Sequence, residues 1–268
     1  MRAWPWLTVS LMIGSGCLLP ELKDLGGSAA SDAGTAPDGP LLDSGVDATT
    51  DATTDGAAPC PSGWFCDDFD QGPLGATWSA VATLDGTLTL ETGGLSTPNF
   101  VRMDLLAPKG ASRHAYLAKT FTLTPTRAVC SFAVRVPSRP ATGDFQLLEI
   151  RDSATHLVYV KVYVNGTELG EEATGADGGN ADRFIHLTTA NGGIPDATWT
   201  TTTLDVDYGA KTVNLSVTPL GGKTATTSLG NLLVAPNAKS VVVSLGDTGD
   251  SDNPLFTAHL DDLRCHVF

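Results

Sequence analysis

The 268-residue chain carries 16 Lys and Arg against 30 Asp and Glu, a formal net charge of −14. That balance argues against a nucleic-acid partner, because holding phosphates takes a surplus of Lys and Arg. Charged residues make up only 17% of the chain while Gly (29) and Pro (16) are abundant, which excludes a coiled coil or a helical bundle.

Residues 1–16 have the build of a sorting signal. Arg2 supplies a positive start, Trp4 to Ile13 form a short apolar stretch, and Gly14, Ser15 and Gly16 lead into Cys17. The segment resembles the signal and lipobox of a bacterial lipoprotein, in which the Cys is acylated and becomes the mature N-terminus. It departs from that pattern at Gly14, where the family prefers Leu, with Ile13 one step further back. The resemblance implies lipidation at Cys17 and a membrane anchor, which several acyl chains on one Cys make stable. Leu18 after the Cys, rather than Asp, implies the outer membrane or cell surface. An ordinary secretory signal cut elsewhere is the alternative, and it too takes the chain out of the cytoplasm. The apolar stretch is far short of the ~20 residues a membrane-spanning helix needs.

Residues 17–59 read as the lipidated Cys followed by a disordered linker. From residue 18 on there is no aromatic side chain, and Glu21, Asp24, Asp32, Asp38, Asp43, Asp47, Asp51 and Asp55 face Lys23 alone. Such a segment cannot bury enough apolar surface to offset its ordering entropy. The aspartates of the run Asp47–Asp55 recur every four residues, whereas calcium loops place their acids two apart. As a coil the linker spans roughly 35 Å, more with self-repulsion, which suits lifting a domain clear of a membrane.

Residues 60–268 read as one all-β domain. Cys130, Phe132, Val134 and Val136 alternate with Val129, Ser131, Ala133 and Arg135; Val158, Val160, Val162 and Val164 alternate with Leu157, Tyr159, Lys161 and Tyr163. Leu204 and Val206, then Val213, Leu215 and Val217, keep the same period of two. Turn signals such as Asp85-Gly86, Asn165-Gly166 and Gly221-Gly222 separate the runs. Many short strands at this spacing predict a two-sheet sandwich or a barrel.

Three pieces carry a more specific resemblance. The domain opens with Phe65-Cys66-Asp67-Asp68-Phe69-Asp70, then Trp78, then Gly86-Thr87-Leu88-Thr89-Leu90. In its middle, Trp199 precedes Leu204-Asp205-Val206-Asp207, and Lys211 to Val217 follow; it closes on Leu260-Asp261-Asp262-Leu263-Arg264-Cys265. Their order resembles the concanavalin A-like (laminin-G/glucanase) jelly-roll superfamily over nearly all of residues 64–268. The expected fold is therefore a two-sheet antiparallel jelly-roll sandwich behind an acidic linker, the layout of bacterial surface lipoproteins of unknown role. Without Cys17 four cysteines remain, which in an exported chain suggests two bridges with three possible connectivities. The preferred pairing is Cys60–Cys66, a local clasp at the domain's start, with Cys130–Cys265, which sit on the apolar faces of expected strands. The resemblance favours the latter because such jelly rolls bring their last strand beside early ones.

Tests for catalysis return little. Glycanases of the superfamily carry E-x-D-x-x-E, with paired carboxylates as nucleophile and acid. Here Glu149 stands at the first position but Arg151 and Ala154 occupy the other two, and a carboxylate paired with Arg is a poor proton donor. Alginate-lyase relatives need a Gln-Ile-His motif, of which only Ile185-His186 is present, and a Tyr-rich closing motif, which is missing. No G-x-S-x-G elbow occurs, and His114, His156, His186, His259 and His266 lack zinc-ligand spacing; each reads as a surface or strand histidine.

A binding face has more support. By parity, Arg135, Glu149, Arg151, Tyr159, Lys161, Tyr163 and His186 point away from the core, on strands expected to neighbour one another. In the resembled family that side of the sheet is concave, and sugars lie there on aromatic rings while polar groups grip their hydroxyls. An ordinary solvated sheet face with cross-strand ion pairs is the competing reading. The resemblance also implies a structural calcium between first and last strands, with Asp261 as one ligand and Asp68 or Asp70 as another. The acidic loop Asp247–Asn253 reads as a solvated turn. Together these readings point to a lipid-anchored surface module that recognises polysaccharide or another glycan. The alternatives are a glycan-active hydrolase or lyase on the same scaffold, or an adhesion or envelope module without a small ligand.

Overall fold

The computed structural model describes residues 59–107, 113–174, 179–233, 238–247 and 255–268. Cys17 and the linker lie outside them. In chain order the strands are β1 (Phe65–Asp67), β2 (Ala80–Leu84), β3 (Gly86–Thr92), β4 (Asn99–Leu105) and β5 (His114–Phe121). There follow β6 (Arg127–Arg135), β7 (Asp144–Ser153), β8 (His156–Tyr163), β9 (Gly166–Thr174) and β10 (Asn180–Thr188). The last are β11 (Thr200–Asp207), β12 (Thr212–Pro219), β13 (Ala225–Gly230), β14 (Val241–Asp247) and β15 (Phe256–Val267). Among the described residues the only helical piece is a single 3-10 turn, Thr189–Asn191.

Two antiparallel sheets result. One runs β13-β12-β11-β6-β15-β4-β3, with β1 added along β15; the other runs β10-β9-β8-β7-β14-β5-β2. Alternation explains the layering. Cys130, Phe132 and Val134 of β6, Leu204 and Val206 of β11 and Val213, Leu215 and Val217 of β12 are all fully buried. Val158, Val160 and Val162 of β8 and Val243 and Leu245 of β14 meet them from the seven-stranded sheet. Phe145 of β7 stacks on Phe256 of β15 with ring centres 4.1 Å apart, an aromatic tie between the layers.

The closing strand is the seam of the domain, as expected. β15 pairs with β1, β4 and β6, so the chain's end is knitted to three earlier segments. Cys265 lies directly across from Cys130 in that ladder, and the two form a disulfide with Cα atoms 4.2 Å apart, buried on both sides. Cys60–Cys66 forms the second bridge, local to the domain's opening. In that opening, Asp67 accepts hydrogen bonds from Trp78 Nε1 at 2.6 Å and from the Phe69 amide at 2.9 Å. Phe65 packs edge-on against Trp78, so the Phe-Cys-Asp-Asp-Phe…Trp pattern closes one end of the core.

The β8–β9 hairpin corrects one detail. Tyr163 pairs with Gly166, so Val164 and Asn165 form the two-residue loop and the glycine begins the next strand. A Cβ at Gly166 would run into the carbonyl of Leu187 on β10, and that close approach, not the turn, requires glycine.

Candidate functional site

The outward side of the seven-stranded sheet gathers six of the seven residues expected to form a binding face. Glu149 and Arg151 stand on β7, Tyr159, Lys161 and Tyr163 on β8, and His186 on β10. Register brings them together: Glu149 is opposite Tyr159, and Lys161 is opposite Glu168, which in turn is opposite His186. Arg135 does not join them. It belongs to β6 of the other sheet, where its Nε donates to the Ala197 carbonyl at 3.2 Å. Parity shows which side of a strand a residue takes; it does not show which sheet receives the strand.

Polar contacts lock the middle of this face. Glu149 accepts from Arg151 Nε at 2.7 Å and from Gln146 Nε2 at 2.8 Å, so both of its oxygens are held. Tyr159 donates its hydroxyl to Glu168 Oε1 at 2.9 Å, and the other Glu168 oxygen meets His186 Nε2. Burial, with the adjacent Glu168 charge, pushes the Tyr159 phenol far above its ordinary range, so it serves as a donor. Lys161 lies over the Tyr159 ring, 4.1 Å from its centre, and pairs with Glu172 at 3.4 Å and Asp144 at 3.5 Å. Glu149, Tyr159, Gln146 and Glu168 are buried although they point outward, and form a covered polar layer beside the exposed rim.

Exposure rises toward β10. Phe184 is 54% exposed and stacks on His186, whose ring also lies 4.5 Å from that of Tyr163. The three form an aromatic row along the rim. Gly170 sits beneath the Tyr159 ring, and a Cβ there would fall inside that ring. Glu168, Gly170 and Phe184 escaped the sequence reading. β9 does not alternate in polarity, because Glu171 faces inward, and so it gives no strand signal; an Asn165-Gly166 loop would have put Glu168 opposite Tyr163, whereas the true Val164-Asn165 loop puts it opposite Lys161.

The inward Glu171 belongs to a buried cluster. His156, read from sequence as a surface or strand histidine, is 1% exposed; its Nδ1 lies 2.6 Å from Asp152 Oδ2 and its Nε2 2.8 Å from Glu171 Oε1. Glu171 also accepts the Leu233 amide at 2.6 Å, and Arg183 donates to the carbonyls of Gly230 and Asn231. These contacts tie the edges of the two sheets together and are closed to ligands.

The aspartates expected to hold calcium make hydrogen bonds within the protein. Asp261 accepts from the Ser96 amide and hydroxyl, each at 3.0 Å, and from the Asp262 amide at 2.8 Å. Burial, reinforced by neighbouring Asp262, pushes its carboxyl up to about 7. Asp70 accepts the Asn99 amide at 2.6 Å and Asp68 the Asp70 amide at 3.2 Å. Among the described residues no three His, Cys, Asp or Glu side chains converge as a metal-binding group. Of the acidic loop, Asp247 is buried and accepts the Gln146 amide at 2.7 Å; residues 248–254 lie outside the described set.

No protein-family model and no curated protein matches the chain. Solved structures do. A marine PL-14 alginate lyase from Aplysia kurodai aligns with a TM-score of 0.51 at 8% identity, covering 69% of this chain and 90% of its own. Peanut lectin aligns at 0.50 and 13% identity, covering 76% and 98%. The cellulose-induced protein Cip1 aligns at 0.53 and 12% identity, covering 75% and 96%. At such identities the likeness establishes the fold alone, a concanavalin A-like jelly roll.

Proposed function

We propose that this chain is a surface lipoprotein, acylated at Cys17 and tethered by its acidic linker, whose sandwich domain binds glycans on the outward side of the seven-stranded sheet. The observation that carries the reading is the aromatic row Tyr163, His186 and Phe184 beside the hydrogen-bonded polar layer of Gln146, Glu149, Tyr159 and Glu168. Rings of this kind supply flat apolar contact for sugar faces, and locked carboxylates accept hydroxyl protons without reorganising. The fold is shared with a lectin and a lyase, which agrees with such a task. A glycan array probed with the full chain tests it. Hits lost in Phe184→Ala and Tyr163→Ala, with unchanged circular dichroism, support the reading; an array without hits defeats it. Incorporation of a palmitate analogue, lost in Cys17→Ser, tests the anchor.

One observation favours a glycan-active enzyme as second reading. Tyr159, Glu168 and His186 form a continuous hydrogen-bonded chain on the same face, a layout able to relay a proton. Fragment release from a bound polysaccharide, abolished by His186→Ala while binding persists, would establish it.

A further inference from the structure

We infer that the glycan taken by this face carries no acidic groups, and that polyuronates are excluded from it. The inference rests on the glycan-binding reading and adds its charge selectivity. Among the described residues, the acids facing outward from the seven-stranded sheet are Asp144 and Glu149 on β7, Glu168 and Glu172 on β9 and Asp182 on β10. The cations are Arg151 and Lys161 alone. Leaving His186 aside, five acids face two bases.

Both bases are already engaged. Arg151 is held by Glu149 at 2.7 Å, and Lys161 is shared between Glu172 and Asp144 while covering the Tyr159 ring. His114, at the β5 end of the same face, has its imidazole pushed down by burial and adds no positive charge near neutrality. An incoming carboxylate or sulfate would therefore have to break an existing ion pair to find a cation.

The rim concentrates this charge. Glu172 and Asp182 are directly opposite each other in the β9–β10 ladder, a like-charge pair that ordinarily weakens a sheet. They flank Phe184, the most exposed ring of the face. Carboxylates only accept hydrogen bonds, so they suit sugar hydroxyl or ammonium donors and oppose other acids. Neutral and amino sugars thus find acceptors beside an aromatic platform; uronates find repulsion. Three excess negative charges at about 7 Å in a water-like medium weaken an acidic ligand by about twentyfold before salt screening.

Titration of the full chain with a neutral β-glucan, chitosan and alginate of matched length tests this. The expected result is binding to the β-glucan or chitosan and at least about tenfold weaker binding to alginate at low ionic strength, with the gap narrowing as salt is raised. Alginate bound as tightly as the others would overturn the charge inference while leaving the glycan reading intact. Binding to none of the three, together with an empty glycan array, would remove both. The charge-reversed pair Glu172→Lys/Asp182→Lys should raise alginate affinity about tenfold, and the milder Glu172→Gln/Asp182→Asn should raise it less. Unchanged alginate affinity in both folded variants would also overturn the inference.

Discussion

Replacing His156 by Gln is expected to remove a pH-dependent part of the domain's stability. The imidazole is enclosed between the sheets, with Asp152 on one nitrogen and Glu171 on the other; Arg183 lies 3.6 Å from the second Glu171 oxygen, and Tyr208 is also placed to feel the Asp152 charge. Burial by itself lowers the imidazole, but the hydrogen bonds and charges of the two carboxylates outweigh it and push it from 6.5 to about 9. A rise of that size is equivalent to about 3 kcal/mol of folding free energy. Because the folded value is the higher one, the contribution is complete below pH 6.5 and disappears as pH rises through 9. In His156→Gln the two carboxylates stay buried without their cation, which costs about 3–5 kcal/mol near pH 6. Urea unfolding followed by Trp fluorescence, run on both proteins between pH 6 and pH 10, measures the difference, and titrations common to both cancel. The gap should shrink by about 3 kcal/mol over that range. A constant gap, or an imidazole that titrates near 6.5 by NMR, would refute the reasoning.

Three further outcomes follow from the same structure. Opening the Cys130–Cys265 bridge by a double Ala substitution frees a loop of 135 residues and should lower stability by about 4–5 kcal/mol, whereas opening Cys60–Cys66, six residues apart, should cost about 2 kcal/mol. Equal shifts in urea midpoint would contradict that ordering. Gly170→Ala should force the Tyr159 ring away from Glu168 and abolish array hits at a modest loss in Tm, while Tyr159→Phe, which keeps the ring, should weaken them only severalfold; a Gly170→Ala protein that binds normally would show the ring is not part of the site. Chelation with EDTA should leave Tm unchanged, since Ser96 and Asp262 already satisfy Asp261, and a drop of several degrees restored by calcium would reverse that assignment.

Much of this architecture was legible beforehand. The alternations Val129–Val136 and Leu157–Val164 identify β6 and β8, and both disulfides match the preferred pairing. Two kinds of residue were not legible. Some answer to a partner distant in sequence: Gly166 yields to the Leu187 carbonyl, and Asp261 accepts from Ser96. Others break the pattern that would have revealed them, as Glu171 does by facing inward to His156 and so hiding β9, with its Glu168 and Gly170.

By itself the amino-acid order determined the all-β class and the side of each strand that each residue of β6 and β8 takes. These follow from side-chain direction, which in a strand reverses at every residue and needs no knowledge of neighbours. Which strands lie together was decided only by the folded chain. Arg135 and Tyr159 share the same outward parity, yet pairing of β6 with β15 puts one on the eight-stranded sheet, and pairing of β8 with β7 and β9 puts the other among Glu149, Glu168 and His186. That choice depends on ladders between residues scores of positions apart, where the contact free energy is set by the whole core rather than by any one segment.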